Sequence, residues 1–247
     1  MTFSADRGPV MAGGIAVSPR LGRFLRPARE RAPAPGECCE LCASPIALGH
    51  RHLLELEPNR LRCVCSPCAL LFERPGAGAG RYRAVPDRVL RLEGFELDES
   101  RWYDLAIPVG LAYFVRSSRE SRVRAFYPAP MGAVESKLGL DAWSAIERDN
   151  PVLAAIEQDV EALLVRRLPS GEDFWVVSIE ACFELVAILR TRWRGLTGGE
   201  QLWSEVETFF VALEAKARQV DREGRRIPCA KTSITANASS SKEDVRS

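Results

Sequence analysis

Histidine is nearly absent from this 247-residue chain: His50 and His52 are the only two. Mechanisms that place several separated histidines around a pocket are therefore excluded. Long apolar runs are missing as well. No segment approaches the roughly 18 apolar residues of a membrane span. The Gly-rich patch at residues 10–17 is too sparse for a secretory leader and lacks its small-residue cleavage pattern. These absences predict a cytoplasmic protein with no membrane contact. A surplus of either charge is also lacking, since 34 Lys and Arg oppose 33 Asp and Glu for a formal net charge of +1. A chain built mainly to hold nucleic acid carries a larger basic excess. Lysine is scarce, at 4 residues against 30 arginines, which reads as a GC-rich coding bias. The remainder, 46% hydrophobic and 27% charged, is ordinary globular composition. The length suits one large domain or two small ones.

Charge is unevenly laid out. Residues 1–35 carry six arginines against Asp6 and Glu30, and residues 219–247 carry six cations against four carboxylates. Both ends have the composition of disordered segments, the first rich in Arg, Pro and Ala, the last in Ser, Thr and Ala. The predicted organisation is a disordered basic segment (1–35), a zinc-binding module (36–92), an α+β domain (93–220) and a disordered tail (221–247).

What the sequence does have is cysteine: eight in all, six of them between Cys38 and Cys68. In a reducing compartment such a cluster reads as metal ligands rather than disulfides. Cys39-Glu-Leu-Cys42 and Cys65-Ser-Pro-Cys68 are both C-x-x-C pairs. Each pair brings two sulfurs to one centre, and two pairs complete a tetrahedron that suits zinc. Between them, residues 52–57 and 61–65 are strand-like and flank a Pro58-Asn59 turn, and Pro67 sits where a helix would start. Knuckle, hairpin and helix is the treble-clef plan, with a flatter zinc ribbon as the alternative. A helix start there would favour the Cys68 thiolate electrostatically. Cys63 and Cys65, at i and i+2 on an extended segment, share a face, so either could be the third ligand. Cys65 is preferred because it completes C-x-x-C. Cys63, His52, His50 and Cys38 are the other candidate ligands. Two ions are arithmetically available to six Cys and two His, although crowding weighs against that. An iron–sulfur cluster competes with zinc for the same thiolates. Four thiolates leave no open position, which points to a structural rather than a catalytic metal. No catalytic residue is nominated. An HNH-type nuclease would need a histidine after the hairpin, and none is there. Arg81, Arg83, Arg88 and Arg91 could form a basic stripe for nucleic acid, or a salt-bridged face. The Gly-rich stretch at 76–80 lacks the Gly-Lys-Ser/Thr ending of a phosphate loop.

Residues 93–220 predict an α+β domain of two β-hairpins and packed helices. Residues 109–115 and 122–127 flank a polar turn, and residues 160–165 and 174–179 flank another, although the run at 160–165 suits a helix as well. Asp141 and Asn150 read as helix N-caps, the latter before Pro151 at N1. Ser178 reads as the cap of a helix carrying Cys182, Val186, Leu189 and Trp193, closed by Gly198-Gly199. A last helix carries Leu202, Val206, Phe209, Phe210 and Leu213. Cys182 reads as a small core hydrophobe and Cys229 as a free thiol of the tail. Carboxylates such as Glu135, Asp141 and Asp173 are too common to single out.

Several segments together resemble an uncharacterised family typical of actinobacteria. They are Cys39-Glu-Leu-Cys42, His50-Arg-His-Leu53, Cys63-Val-Cys-Ser-Pro-Cys-Ala-Leu-Leu-Phe72, Arg81-Tyr-Arg-Ala-Val-Pro-Asp-Arg-Val-Leu90, Pro108-Val-Gly-Leu-Ala112 and Ala125-Phe-Tyr-Pro128. The resemblance covers about residues 36–218. Members are often encoded near nickel–iron hydrogenase genes, which implies a maturation, assembly or electron-transfer accessory role with a protein partner. It carries over no catalytic residues, and Cys38 departs from the pattern. The expected function is therefore a zinc-stabilised accessory or adaptor protein. The alternatives are an iron–sulfur electron-transfer or cluster-handling protein and a nucleic-acid-binding zinc module.

Overall fold

The computed structural model describes residues 37–73, 77–129, 131–136, 140–168, 171–195 and 198–227. The calls on residues 1–35, on Cys229 and on most of the tail lie outside them. Among the described residues the chain forms, in order, β1 (Arg51–Glu55), β2 (Arg60–Val64), α1 (Ser66–Phe72), β3 (Tyr82–Ala84), β4 (Leu90–Glu93), α2 (Glu99–Asp104), β5 (Leu111–Ser117), β6 (Arg122–Ala129), β7 (Gly132–Glu135), α3 (Leu140–Asp149), β8 (Glu161–Leu168), β9 (Gly171–Ser178), α4 (Ile179–Arg192), α5 (Glu200–Lys216) and β10 (Arg218–Asp221). The fold is α+β, as the sequence predicts. One sheet is small, ordered β2-β1-β3. The other has seven strands, ordered β10-β4-β9-β8-β5-β6-β7. Both predicted hairpins are present, as β5–β6 and β8–β9, and β5 pairs β8 to join them.

Strand alternation divides the large sheet between two cores. Tyr113 and Val115 of β5, Leu164 of β8 and Trp175 and Val177 of β9 point to one side, where α4 and α5 bring Leu185, Leu189, Val206 and Phe210. Phe114, Leu163, Val165, Phe174 and Val176 point to the other, against Trp143 and Ile146 of α3. Central strands covered on both faces read as unbroken apolar runs, which is why residues 160–165 suited a helix equally well. They form a strand.

Several local expectations are revised. Gly198-Gly199 does not close α4, which stops at Arg192 with Trp193 as its C-cap; Gly199 instead leads into α5. Asp141 lies inside α3, which begins one residue earlier. Asn150 precedes a 3-10 turn at Pro151–Ala155 but does not cap it. Its amide turns away: Oδ1 accepts from the Glu96 N–H at 2.8 Å, and Nδ2 donates to the carbonyls of Glu96 and Ile146. This buried amide pins the loop after β4 to the end of α3. Residues 221–227, assigned to the tail, are ordered where β10 ends. The Asp221 carboxylate accepts the backbone N–H groups of Glu223 and Arg225 and turns the chain back. The parallel pairing of β10 with β4 was not foreseen.

The described residues from Cys38 to Ile227 form one compact unit. The predicted boundary at residue 92 falls within β4, which pairs with β9. The small sheet also enters the core of the large one, because Leu54 of β1 and Val85, just after β3, belong to the same apolar cluster as α4 and α5.

Glu161 opens β8 fully buried and is held by Arg88. Arg88 Nε and Nη2 donate to its two oxygens at 2.5 and 2.6 Å, and the Glu157 N–H adds 2.9 Å. Removing one partner of such a pair strands a buried charge. Arg88→Ala is expected to lower unfolding free energy by about 3–5 kcal/mol. Urea denaturation checks this, and a loss no larger than that of an exposed Arg→Ala would contradict it.

Candidate metal centre

The first C-x-x-C pair is set by a tight turn. The Cys39 N–H donates to the Ser44 carbonyl and the Ala43 N–H to the Cys39 carbonyl, both at 2.8 Å, with Ala43 in the left-handed region at φ 58°. The second pair straddles the start of α1. Cys65 is the N-cap, Pro67 occupies the first turn, and Cys68 follows within the helix. The β1–β2 hairpin lies between them, so the module follows the treble-clef order rather than that of a flat ribbon. Leu53 and Val64 from the hairpin and Ala69 from α1 close a small core around buried Cys39.

Four sulfurs converge there. The Sγ atoms of Cys39, Cys42, Cys65 and Cys68 all lie within 4.8 Å of one another, and Cys42 Sγ stands 3.6 Å from Cys65 Sγ. All four are free thiols. A tetrahedral tetrathiolate with metal–sulfur bonds of about 2.3 Å has sulfur–sulfur edges of about 3.8 Å. The cluster therefore matches, in donor type and spacing, a site for one thiophilic ion.

Backbone donors already favour negative sulfur at the first pair. The Ser44 hydroxyl and N–H lower Cys42 to about 6. Burial opposes ionisation of Cys39, yet the N–H groups of Cys65, Leu41 and Cys42 bring it below the ordinary thiol range. At the second pair the balance reverses. Burial and the neighbouring sulfurs push Cys68 up. The Cys68 N–H lowers Cys65, but burial and the sulfurs of Cys42 and Cys39 leave it raised.

Cys63 does not join the cluster. β2 ends at Val64 and the chain turns into α1 at Cys65, so the i, i+2 face rule fails across that cap. Cys63 groups instead with His50 and His52. Glu40, missed from sequence, fixes the knuckle to β2. Its Oε2 accepts the Cys63 N–H at 2.8 Å, and its Oε1 accepts from Arg60 at 2.8 Å. Cys38 is exposed and bridges to Pro45.

The four arginines of the possible basic stripe all pair with carboxylates of the chain. Arg81 binds buried Glu55, Arg83 binds Asp159, Arg88 binds Glu161, and Arg91 binds Asp173 and Glu214. Glu135 is held by Arg122 and Arg124, and Asp173 also by Arg166. Cys182 is fully buried, as expected of a core hydrophobe. Among the described residues no helix is long and apolar enough to cross a membrane.

Metal binding here would release thiol protons, those of Cys65 and Cys68 above all, with that of Cys42 added below about pH 6. Apparent affinity for zinc is therefore expected to fall as pH falls, more steeply below about 6 than above it. Competition with a chromophoric chelator across that range measures the slope. A flat profile would contradict the assignment.

The family described as a family of unknown function (DUF5947) matches residues 38–217, and the chain belongs to it. That stretch nearly coincides with the one over which the motifs resemble an uncharacterised family. No curated protein matches the chain, and no solved structure does.

Proposed function

We propose that this DUF5947 member is a zinc-stabilised accessory or adaptor protein, with Cys39, Cys42, Cys65 and Cys68 as the ligands of a structural ion. The convergence of four sulfurs within 4.8 Å carries the reading. Thiolates alone, in a closed set of four, are the donors of structural zinc, and they leave no vacancy for substrate. Multinuclear iron–sulfur clusters place iron and sulfide between their thiolates and need wider spacing than this. The module buries little apolar core of its own, so the roughly 10–16 kcal/mol of apparent zinc binding free energy would couple directly to its folding. The pairing of Arg81, Arg83, Arg88 and Arg91 within the chain favours this reading over a nucleic-acid-binding one. The setting is cytoplasmic, as the lack of a long apolar run or leader in the sequence suggests, and the family resemblance implies nickel–iron hydrogenase or its maturation factors as the protein partner.

Elemental analysis and a visible spectrum of anaerobically purified full chain test the metal. The expected result is colourless protein whose zinc content falls in Cys39→Ser, with loss of amide protection in β1 and β2. Iron with acid-labile sulfide would overturn the zinc assignment. The role is tested by deleting the gene in a host that has a nickel–iron hydrogenase. Hydrogenase activity is expected to drop several-fold at unchanged hydrogenase transcript levels, and unaltered activity would contradict the accessory role.

A further inference from the structure

The hairpin carries a second set of ligand-type side chains that the tetrathiolate does not use. His52 on β1 stands directly opposite Cys63 on β2 in the strand register. His50 lies beside His52, with ring centroids 4.7 Å apart. One ring nitrogen from each histidine and the Cys63 Sγ lie within 4.8 Å of one another. Alternation puts His52 on the same face of β1 as Leu54, which enters the core under α4 and α5. The opposite face carries Leu53 toward the tetrathiolate.

Each imidazole is anchored through one ring nitrogen, as metal-ligating imidazoles commonly are. His50 Nδ1 lies 2.8 Å from the Ala47 carbonyl oxygen. A carbonyl only accepts, so Nδ1 carries the proton and Nε2 keeps the lone pair. That Nε2 is buried. His52 Nδ1 lies 3.0 Å from Glu180 Oε2, the carboxylate–histidine arrangement that orients a ligating ring. Cys63 is fixed through its backbone, which exchanges two hydrogen bonds with Glu40. Two neutral imidazoles and one thiolate are a borderline donor set suited to a divalent ion of the zinc class.

We propose that His50, His52 and Cys63 form a second metal site for a zinc-class divalent ion, with Glu180 as the positioning residue of His52. Three protein ligands leave one position for water or an incoming ligand, unlike the closed tetrathiolate. Glu180 opens α4, so the ion would tie the hairpin to the body of the protein. The site shares no ligand with the tetrathiolate, and each can fail without the other.

The test is anaerobic titration of the metal-free full chain with Co²⁺ and, in parallel, with Zn²⁺. Two equivalents of cobalt are expected to bind. Cys63→Ser and His52→Ala are each expected to remove one while the tetrathiolate charge-transfer band, which reports an intact module, persists. His50→Gln, in the loop before β1, is the further variant should either disturb the hairpin. Glu180→Gln is expected to keep the site and weaken it about tenfold. Because the chain has only two histidines, both imidazole proton resonances are expected to shift with the zinc equivalent that Cys63→Ser abolishes. A single equivalent in the wild-type chain would overturn the proposal. So would a second equivalent that survives the substitutions, or imidazole resonances that do not move.

Discussion

Everything at the N-terminal end of the described fold depends on four sulfurs from two separated stretches of chain meeting at one point. The knuckle at Cys39–Cys42 has almost no secondary structure of its own, and α1 is only seven residues long. Neither would persist alone, because a short isolated helix is unstable in water. What brings them together is the β1–β2 hairpin, whose strands place the second C-x-x-C pair beneath the first. Glu40 reinforces that placement by bonding the knuckle to the backbone of Cys63. A cation among the sulfurs would convert four mutually opposed thiols into a single cross-link.

The hairpin has two loyalties. One face, through Leu53 and Val64, belongs to the sulfur-centred core. The other, through Leu54, belongs to the α4–α5 core of the large sheet. Order at the four-sulfur cluster is thus transmitted into the body by a two-stranded ribbon rather than by a flexible link. The same ribbon presents His52 and Cys63 toward the start of α4, where Glu180 waits. Among the described residues, the arginines around this frame serve mainly as partners of carboxylates. Arg88 and Arg62 satisfy the buried acids Glu161 and Glu55, and Arg91 and Arg166 share Asp173.

Local features were legible in the sequence. The two C-x-x-C pairs, the Pro67 helix start, both hairpins of the large sheet and the Ser178 cap each depend on residues a few positions apart, and each is present. Features set by distant contacts were not legible. The pairings of β4 with β9 and β10 have no local signature, and the pairing with β9 moves residues 90–93 into the large sheet. Asn150 looked like a cap because the residues around it are cap-like, but its partner is Glu96, far away in sequence. Cys63 and Cys65 are equivalent only on an unbroken strand, and β2 ends between them at Val64. The grouping of His50 and His52 with Cys63 required knowing the strand register, which spacing alone does not supply.

On the proposed reading, four thiolates hold one zinc ion and thereby organise the module. Zinc-edge X-ray absorption on the His50→Gln/His52→Ala/Cys63→Ser chain examines it most directly, because only the tetrathiolate then remains. A first shell of four sulfurs at about 2.3 Å is predicted. Nitrogen or oxygen in that shell, or protein that folds with no zinc bound, would contradict it.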